Sequence, residues 1–245
     1  MQRPPEIEFK YPQPKPPYPP SHRSAIFAGP SGTGKTSTAL ALLTGPLRGI
    51  YSRVWVFSPS CAPGIDPLWD QWREYVKNEM EVPDSEQTMF SEWDPSVLSG
   101  LIEQHAKVNK ALKKHKKKKG FVALALIDDL ADDPRIHGMG PLATIFVRGR
   151  HLGVACWILT QKLRSVSLIC RAQVCWMLVW RMRNAKERDA ILEELSAIYP
   201  PKVLMSIYDT ATTHAPHSFL FINLLEPKED MFYVNFEYKL RVQGE

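Results

Sequence analysis

Glycine and cysteine are scarce in this chain, no long apolar run is present, and outside one short tract positive charge is not in excess. Each shortage restricts the reading. No apolar stretch approaches the ~18 to 20 residues that a membrane span needs, and the amino terminus lacks the apolar centre of a secretion signal. The chain is therefore expected to have no transmembrane segment and to stay inside a cell. The cysteines are Cys61, Cys156, Cys170 and Cys175. They show no Cys-x-x-Cys spacing and three sit among apolar neighbours, which fits reduced core thiols and argues against a zinc site. Glycine numbers only 13 in 245 residues, so three glycines within one short segment are a signal rather than background.

Charge is unevenly placed. Lys107 to Lys119 carries eight lysines and no acid, leaving 23 basic against 26 acidic residues elsewhere. A second basic zone runs from Arg148 to Arg188, with nine Lys/Arg against Glu187 as its only acid. Two basic zones in an otherwise acidic chain suggest contact with a polyanion; a solvated helix end is the plain alternative for the lysine tract. Proline is concentrated too: eight of 21 fall in the first twenty residues, a composition that favours an extended arm outside the core. The expected organisation is a Pro-rich arm over residues 1–22 and one domain over 23–245, since this length and 44% hydrophobic content suit a single large α/β core.

Within that domain, Ser24 to Ala28 is a short apolar strand, about Lys35 to Leu43 is a helix, and Arg53 to Phe57 is a β-rich run. Pro67 to Met80 can form a helix. Pro95 to Lys119 has helical composition, with Val97, Leu98, Leu101, Ile102, His105 and Val108 on one face and lysines in its last turns. Phe121 to Ile127, Gly153 to Leu159 and Val174 to Trp180 read as buried strands of a parallel sheet. Asn184 to Tyr199 reads as a helix capped by Asn184, with Glu187 at the third position of a capping box. Ser218 to Leu224 and Met231 to Tyr238 suggest a C-terminal β-hairpin at about 217–240.

Gly29-Pro30-Ser31-Gly32-Thr33-Gly34-Lys35-Thr36, followed by Ser37, lies between the first strand and its helix. This is a P-loop in its expected setting. Backbone N–H groups curl around a phosphate at a helix N-terminus, Lys35 reaches the outer oxygens, and the Thr36 hydroxyl can hold Mg²⁺. The second acidic site is Asp128-Asp129, at the end of a buried strand. Asp128 is placed to hold Mg²⁺ opposite Thr36, and Asp129 to orient or deprotonate the attacking water. Asp132-Asp133-Pro134 nearby shows turn chemistry, which keeps a capping role open for the pair. Gln161 follows the next strand, where an amide can bridge a phosphate oxygen and the lytic water. Arg148 and Arg150 are candidate arginine fingers, unranked by spacing; His151 reads as structural.

Taken together, Gly-Pro-Ser-Gly-Thr-Gly-Lys-Thr, Leu-Ile-Asp-Asp-Leu, Phe-Val-Arg-Gly-Arg-His-Leu-Gly-Val, Ile-Leu-Thr-Gln and Ile169-Cys170-Arg171-Ala172-Gln173 resemble the genome-packaging ATPases of poxviruses, other large DNA viruses, virophages and related transposons. These belong to the class of the DNA translocases FtsK and HerA, and the resemblance covers about Ala25 to Leu195. It implies a RecA-like α/β fold whose mostly parallel sheet is flanked by helices, with the P-loop strand and the Asp128 strand on either side of the Gln161 strand. It further implies ATP and Mg²⁺ at a subunit interface of a homo-oligomeric ring, a pentamer or hexamer, with Lys35 and Thr36 on phosphate and metal, Asp128 on metal and Gln161 as sensor. The arginine finger, from the Arg148/Arg150 segment, would act on a neighbouring subunit. Asp129 departs from the class, which often carries Glu there. The implied partners are double-stranded DNA, other copies of the chain, and capsid or membrane-associated virion proteins at a virus assembly site in the host cell. Lys113, Lys114, Lys116, Lys117, Arg181 and Arg183 are the candidate DNA contacts by charge density. Two rival readings are a nucleotide-binding structural DNA-binding component with weak turnover and a P-loop small-molecule kinase.

Overall fold

The computed structural model describes residues 10–130, 133–136 and 140–242. The first nine residues of the arm, Asp132 of the turn segment and the last three residues lie outside the described residues. In chain order the elements are β1 (Ala25–Ala28), α1 (Lys35–Thr44), β2 (Arg53–Phe57), α2 (Pro67–Glu79), β3 (Met89–Phe90), α3 (Pro95–Lys114), β4 (Ala123–Asp128), α4 (Pro141–Leu152), β5 (Val154–Thr160), α5 (Leu168–Ala172), β6 (Trp176–Trp180), α6 (Ala185–Glu194), α7 (Pro201–Thr212), β7 (Phe219–Asn223), β8 (Phe232–Val234) and β9 (Tyr238–Lys239).

The strands form one sheet in the order β3-β2-β4-β5-β1-β6-β7-β8-β9. The pairs from β3 through β6 are parallel, and β7 to β9 continue the sheet antiparallel. The expected C-terminal hairpin is thus an extension of the sheet. As the family motifs implied, β1 and β4 flank β5.

The uninterrupted apolar strands are explained by burial on both faces. Side chains alternate across the sheet: Ala25, Phe27, Leu124, Leu126, Ala155 and Trp157 join α1 and α2 on one side. Ile26, Ala28, Ala125, Ile127, Cys156 and Ile158 face α3, α4, α6 and α7 on the other. Beneath the P-loop, the Phe27 ring lies 5.3 Å from Trp157, 5.3 Å from Trp176 and 6.3 Å from Trp180. This aromatic cluster holds a strand of only four residues, on whose end the P-loop is mounted.

Several local expectations are corrected. Helix α3 stops at Lys114, because Lys116 takes a left-handed φ of 54° and Lys119 leaves to bridge Lys10. Only Lys113 and Lys114 therefore occupy the last helical turn. On the inner face of α3, Asn109 rather than Val108 is buried: its side chain accepts from Phe121 N at 2.9 Å and donates to Phe121 O at 3.0 Å, stitching the helix to the entry of β4. Helix α6 ends at Glu194. Asn184 caps it by accepting from Lys186 N, but Glu187 does not close a capping box; it accepts from Leu163 N at 3.0 Å. Helix α7 is absent from the expectations, although Pro201 at its first turn and the buried spacing Leu204, Ile207, Tyr208, Ala211 carry its signal.

Residues 10–22 pack on the domain: Lys10 pairs with Lys119, Ser21 is buried and donates to Pro12 O, and the Tyr18 ring lies 4.9 Å from Phe236. Among the described residues no helix is long and apolar enough to cross a membrane.

Candidate active site

The loop between β1 and α1 is anchored at its start by Gly29 N donating to Thr160 O at 3.1 Å, which ties it to the end of β5. Gly32 and Gly34 have φ of 77° and 97°, left-handed values that an L side chain rarely adopts, and this turns successive N–H groups into one concavity. The Lys35 ammonium is buried and donates to Gly29 O at 2.8 Å and Pro30 O at 3.0 Å, closing the loop with its own cation. Burial lowers the Lys35 pKa, an effect opposed by the nearby Asp128 and Asp129. The carbonyls that hold this ammonium are neutral, so an incoming phosphate would give it a directly bonded anionic partner.

Because β4 and β1 are separated by β5, their ends converge on the same edge of the sheet. Thr36 Oγ1 donates to Asp128 Oδ2 at 2.9 Å. Asp128 is buried, and its pKa rises to about 6, first by desolvation and then by the charge of Asp129, with the Thr36 hydrogen bond and Lys35 acting the other way. A hydroxyl and a buried carboxylate whose ionised form is disfavoured by burial fit a hard divalent cation held by oxygen. Asp129 faces differently. It has a left-handed φ of 55°, a conformation that Asp tolerates better than most residues, and is exposed. Gln161 Nε2 donates to Asp129 Oδ1 at 2.9 Å, so the sheet brings these two candidates together.

The raised Asp128 pKa has a stability consequence. Its folded value lies above that of the unfolded carboxylate, so the native state binds the extra proton and ionisation opposes folding. The cost is absent below pH ~4, grows as pH rises through about 6, and above that amounts to about 3 kcal/mol. Asp128→Asn is therefore expected to raise the melting temperature at pH 8 and to change it little at pH 4. Thermal unfolding of both proteins across this range is the check, and an equal shift at both pH values would contradict the assignment.

Other sequence candidates are not brought to this edge. Arg148 and Arg150 are exposed near the end of α4, where the chain enters β5, whereas the P-loop is level with Thr160 at the far end of that strand. Seven residues of β5 separate the two levels, about 20 Å, farther than an arginine extends. Neither can reach its own P-loop. Arg150 Nε donates to His151 Nε2 at 3.1 Å instead. Between the arginines, Gly149 is buried against the sheet; a Cβ there would lie 2.3 Å from Val154 O. The glycine of the Arg-Gly-Arg segment thus lets α4 approach β5. The basic residues divide as well: Lys113, Lys114, Lys116 and Lys117 lie at the amino edge of the sheet, before β4, while Arg181 and Arg183 follow β6 at the P-loop edge. Ser31 and Ser37 are exposed on the P-loop side.

Two residues bordering the loop escaped the sequence reading. Trp180, at the end of β6, packs beside Gly29, where an added Cβ would lie 2.8 Å from its Cβ. Its Nε1 donates to the carbonyl of His217 at 3.0 Å, and His217 Nδ1 lies 3.3 Å from Thr33 O. Nothing in the local pattern of Pro216-His217-Ser218 points to the P-loop; the antiparallel return of β7 beside β6 brings it there.

A mostly parallel sheet with a P-loop after its central strand, and paired carboxylates at the next-but-one strand, defines a P-loop NTPase. The chain belongs to the poxvirus A32 protein family, whose model matches residues 21–218. Among solved structures it is similar to the genome packaging NTPase B204 from Sulfolobus turreted icosahedral virus 2 in complex with AMP, at 15% identity over 87% of this chain and 96% of that one, with a TM-score of 0.54. It is also similar to EssC (ATPases 2 and 3) from Geobacillus thermodenitrificans, at 12% identity, covering 91% of this chain and 41% of that one, with a TM-score of 0.58. A third likeness is to the pCW3 conjugation coupling protein TcpA, at 15% identity over 89% of this chain and 62% of that one, TM-score 0.51. At such identities the likeness is one of fold. No curated protein sequence matches the chain.

Proposed function

We propose that this chain hydrolyses ATP to drive double-stranded DNA into a viral capsid, acting as a homo-oligomeric ring. The observation that carries the reading is the paired arrangement beside the P-loop, Thr36 on Asp128 and Gln161 on Asp129, each at 2.9 Å. One pair suits metal binding and the other suits handling of water. Membership of the poxvirus A32 family and the fold shared with a genome packaging NTPase support the same conclusion.

In this reading the N–H groups of Gly32 to Thr36 hold the phosphates and Lys35 leaves its loop carbonyls for the outer oxygens. Thr36 and Asp128 hold Mg²⁺, which when bound neutralises charge on the phosphate oxygens. Asp129 accepts the proton of the attacking water. Its side chain is one methylene shorter than Glu; Gln161, donating to Asp129 through Nε2, keeps Oε1 available to accept from that water and so spans the gap. The positive charge that completes the site comes from Arg148 or Arg150 of a neighbouring copy, because these residues lie at the opposite edge of their own sheet. A dilute monomer would therefore turn over slowly.

DNA would be held through its phosphates, which carry no sequence information. The Lys113–Lys117 zone and Arg181/Arg183 lie at opposite edges of the sheet, so they would meet a duplex at two levels rather than as one patch. Double-stranded DNA is expected to stimulate ATP turnover. Neutralising either basic set should flatten the dependence of log affinity on log salt by about 0.9 for each phosphate that the variant no longer neutralises. Unchanged stimulation and an unchanged salt slope with both sets neutralised would remove these residues as the DNA contacts, and wild-type turnover indifferent to DNA would remove DNA from the proposal.

A further inference from the structure

The order of the strands gives the nucleotide a direction. The metal and water groups, Asp128, Asp129 and Gln161, are carried by β4 and β5 on one side of β1, so the reacting end of the triphosphate belongs there. The nucleoside end must then leave the loop on the other side, toward β6 and β7. On that side Trp180 and His217 border the P-loop, and of the two only His217 is exposed.

We propose that His217 seats the nucleoside half of the bound nucleotide. This rests on the NTP-binding reading of the site and assigns the part of the ligand that the P-loop does not hold. Thr33 O can only accept, so in the 3.3 Å contact with it the proton of His217 lies on Nδ1. Nε2 is then the ring atom left to accept from a ribose hydroxyl, and the ring face is available for stacking. The imidazole is exposed while everything behind it is fixed. Trp180 Nε1 donates to its carbonyl at 3.0 Å, and Ser218 N donates to Ala215 O at 3.1 Å. Ala215 N donates to Ser218 Oγ at 2.9 Å, and Phe219 N donates to Asn235 Oδ1 at 3.1 Å.

His217 itself has a left-handed φ of 62°, one of five non-glycine residues with positive φ among those described. Such a conformation persists when the surroundings over-determine it, as these four hydrogen bonds do, and another of the five, Asp129, is also in the site. A second aromatic group adjoins the turn: the rings of His214 and Tyr238, both exposed, lie 5.5 Å apart.

The test separates the two halves of the ligand. His217→Asn keeps a residue that tolerates the left-handed backbone but lacks the ring. Binding of ADP and of inorganic tripolyphosphate, which has no nucleoside, would be measured for wild type and variant by calorimetry. The expected result is an ADP affinity lowered by about tenfold, the size of one good ring contact, with tripolyphosphate affinity unchanged within about twofold. Equal weakening of both ligands would mean that His217 only props the P-loop, and an unchanged ADP affinity would mean that it touches nothing; either overturns the proposal. A wild-type chain that binds neither ligand would instead overturn the NTP-binding reading beneath it.

Discussion

Lys35→Ala is expected to lower ATP turnover at least about a hundredfold and to weaken nucleotide binding, while far-ultraviolet circular dichroism stays unchanged. The loss follows from the position of the ammonium. It is buried, bonded to Gly29 O and Pro30 O, and is the cation that relieves both the loop carbonyls and the Asp128/Asp129 pair. Removing a preorganised charge from a water-poor site costs on the order of a hundredfold to a thousandfold in rate. Asp129→Asn supplies the contrast, because it leaves the P-loop intact and removes only the proton acceptor. Nucleotide should still bind, and turnover should fall to a similar degree. Equal, negligible rates for wild type, Lys35→Ala and Asp129→Asn in the presence of DNA and Mg²⁺ would sink the motor reading and favour a structural nucleotide-binding component.

Gly149→Ala is expected to destabilise the fold by about 2 kcal/mol, although alanine is the better helix former. An added Cβ would lie 2.3 Å from Val154 O, a backbone atom fixed in the sheet, and α4 would have to move away from β5. Overpacking of this kind costs roughly 1 to 3 kcal/mol or more, against a helix-propensity gain of up to about 1 kcal/mol. For a chain of this size the melting temperature should drop by roughly 5 °C. A melting temperature unchanged or raised would show that α4 can shift without cost. The outcome bears on function, since Arg148 and Arg150 flank the glycine and any displacement of α4 moves both finger candidates.

Much of the site is legible in the sequence because its chemistry is local. Gly29 to Thr36 are consecutive, and a run of glycines before Lys-Thr at a strand-helix junction needs no tertiary information to be read as a phosphate cradle. Asp128 and Gln161 are legible for a related reason. Each terminates an apolar strand, and the ends of parallel strands share one edge, so the pattern places their side chains even though 92 residues separate Thr36 from Asp128. The same logic fails where the chain reverses. His217 and Trp180 carry no motif, and they reach the P-loop only because β7 runs antiparallel beside β6. The exact end of α3 and the partner of Glu187 escaped as well, because a left-handed residue and a hydrogen bond from Leu163 override the local preference for a longer helix or a capping box.

By itself the sequence determined the P-loop, the strands that carry Asp128, Asp129 and Gln161, and the kinship of the chain, since these depend on consecutive residues and on hydrophobic period. Only the tertiary structure decided how the remaining charges are distributed. It put the lysine tract and Arg181/Arg183 at opposite edges of the sheet, put Arg148 and Arg150 about 20 Å from the P-loop of their own chain, and brought His217 beside the P-loop. The physical reason is that strand order and direction fix which ends meet, and those are settled by which apolar faces pack together, information that no local stretch of the chain contains.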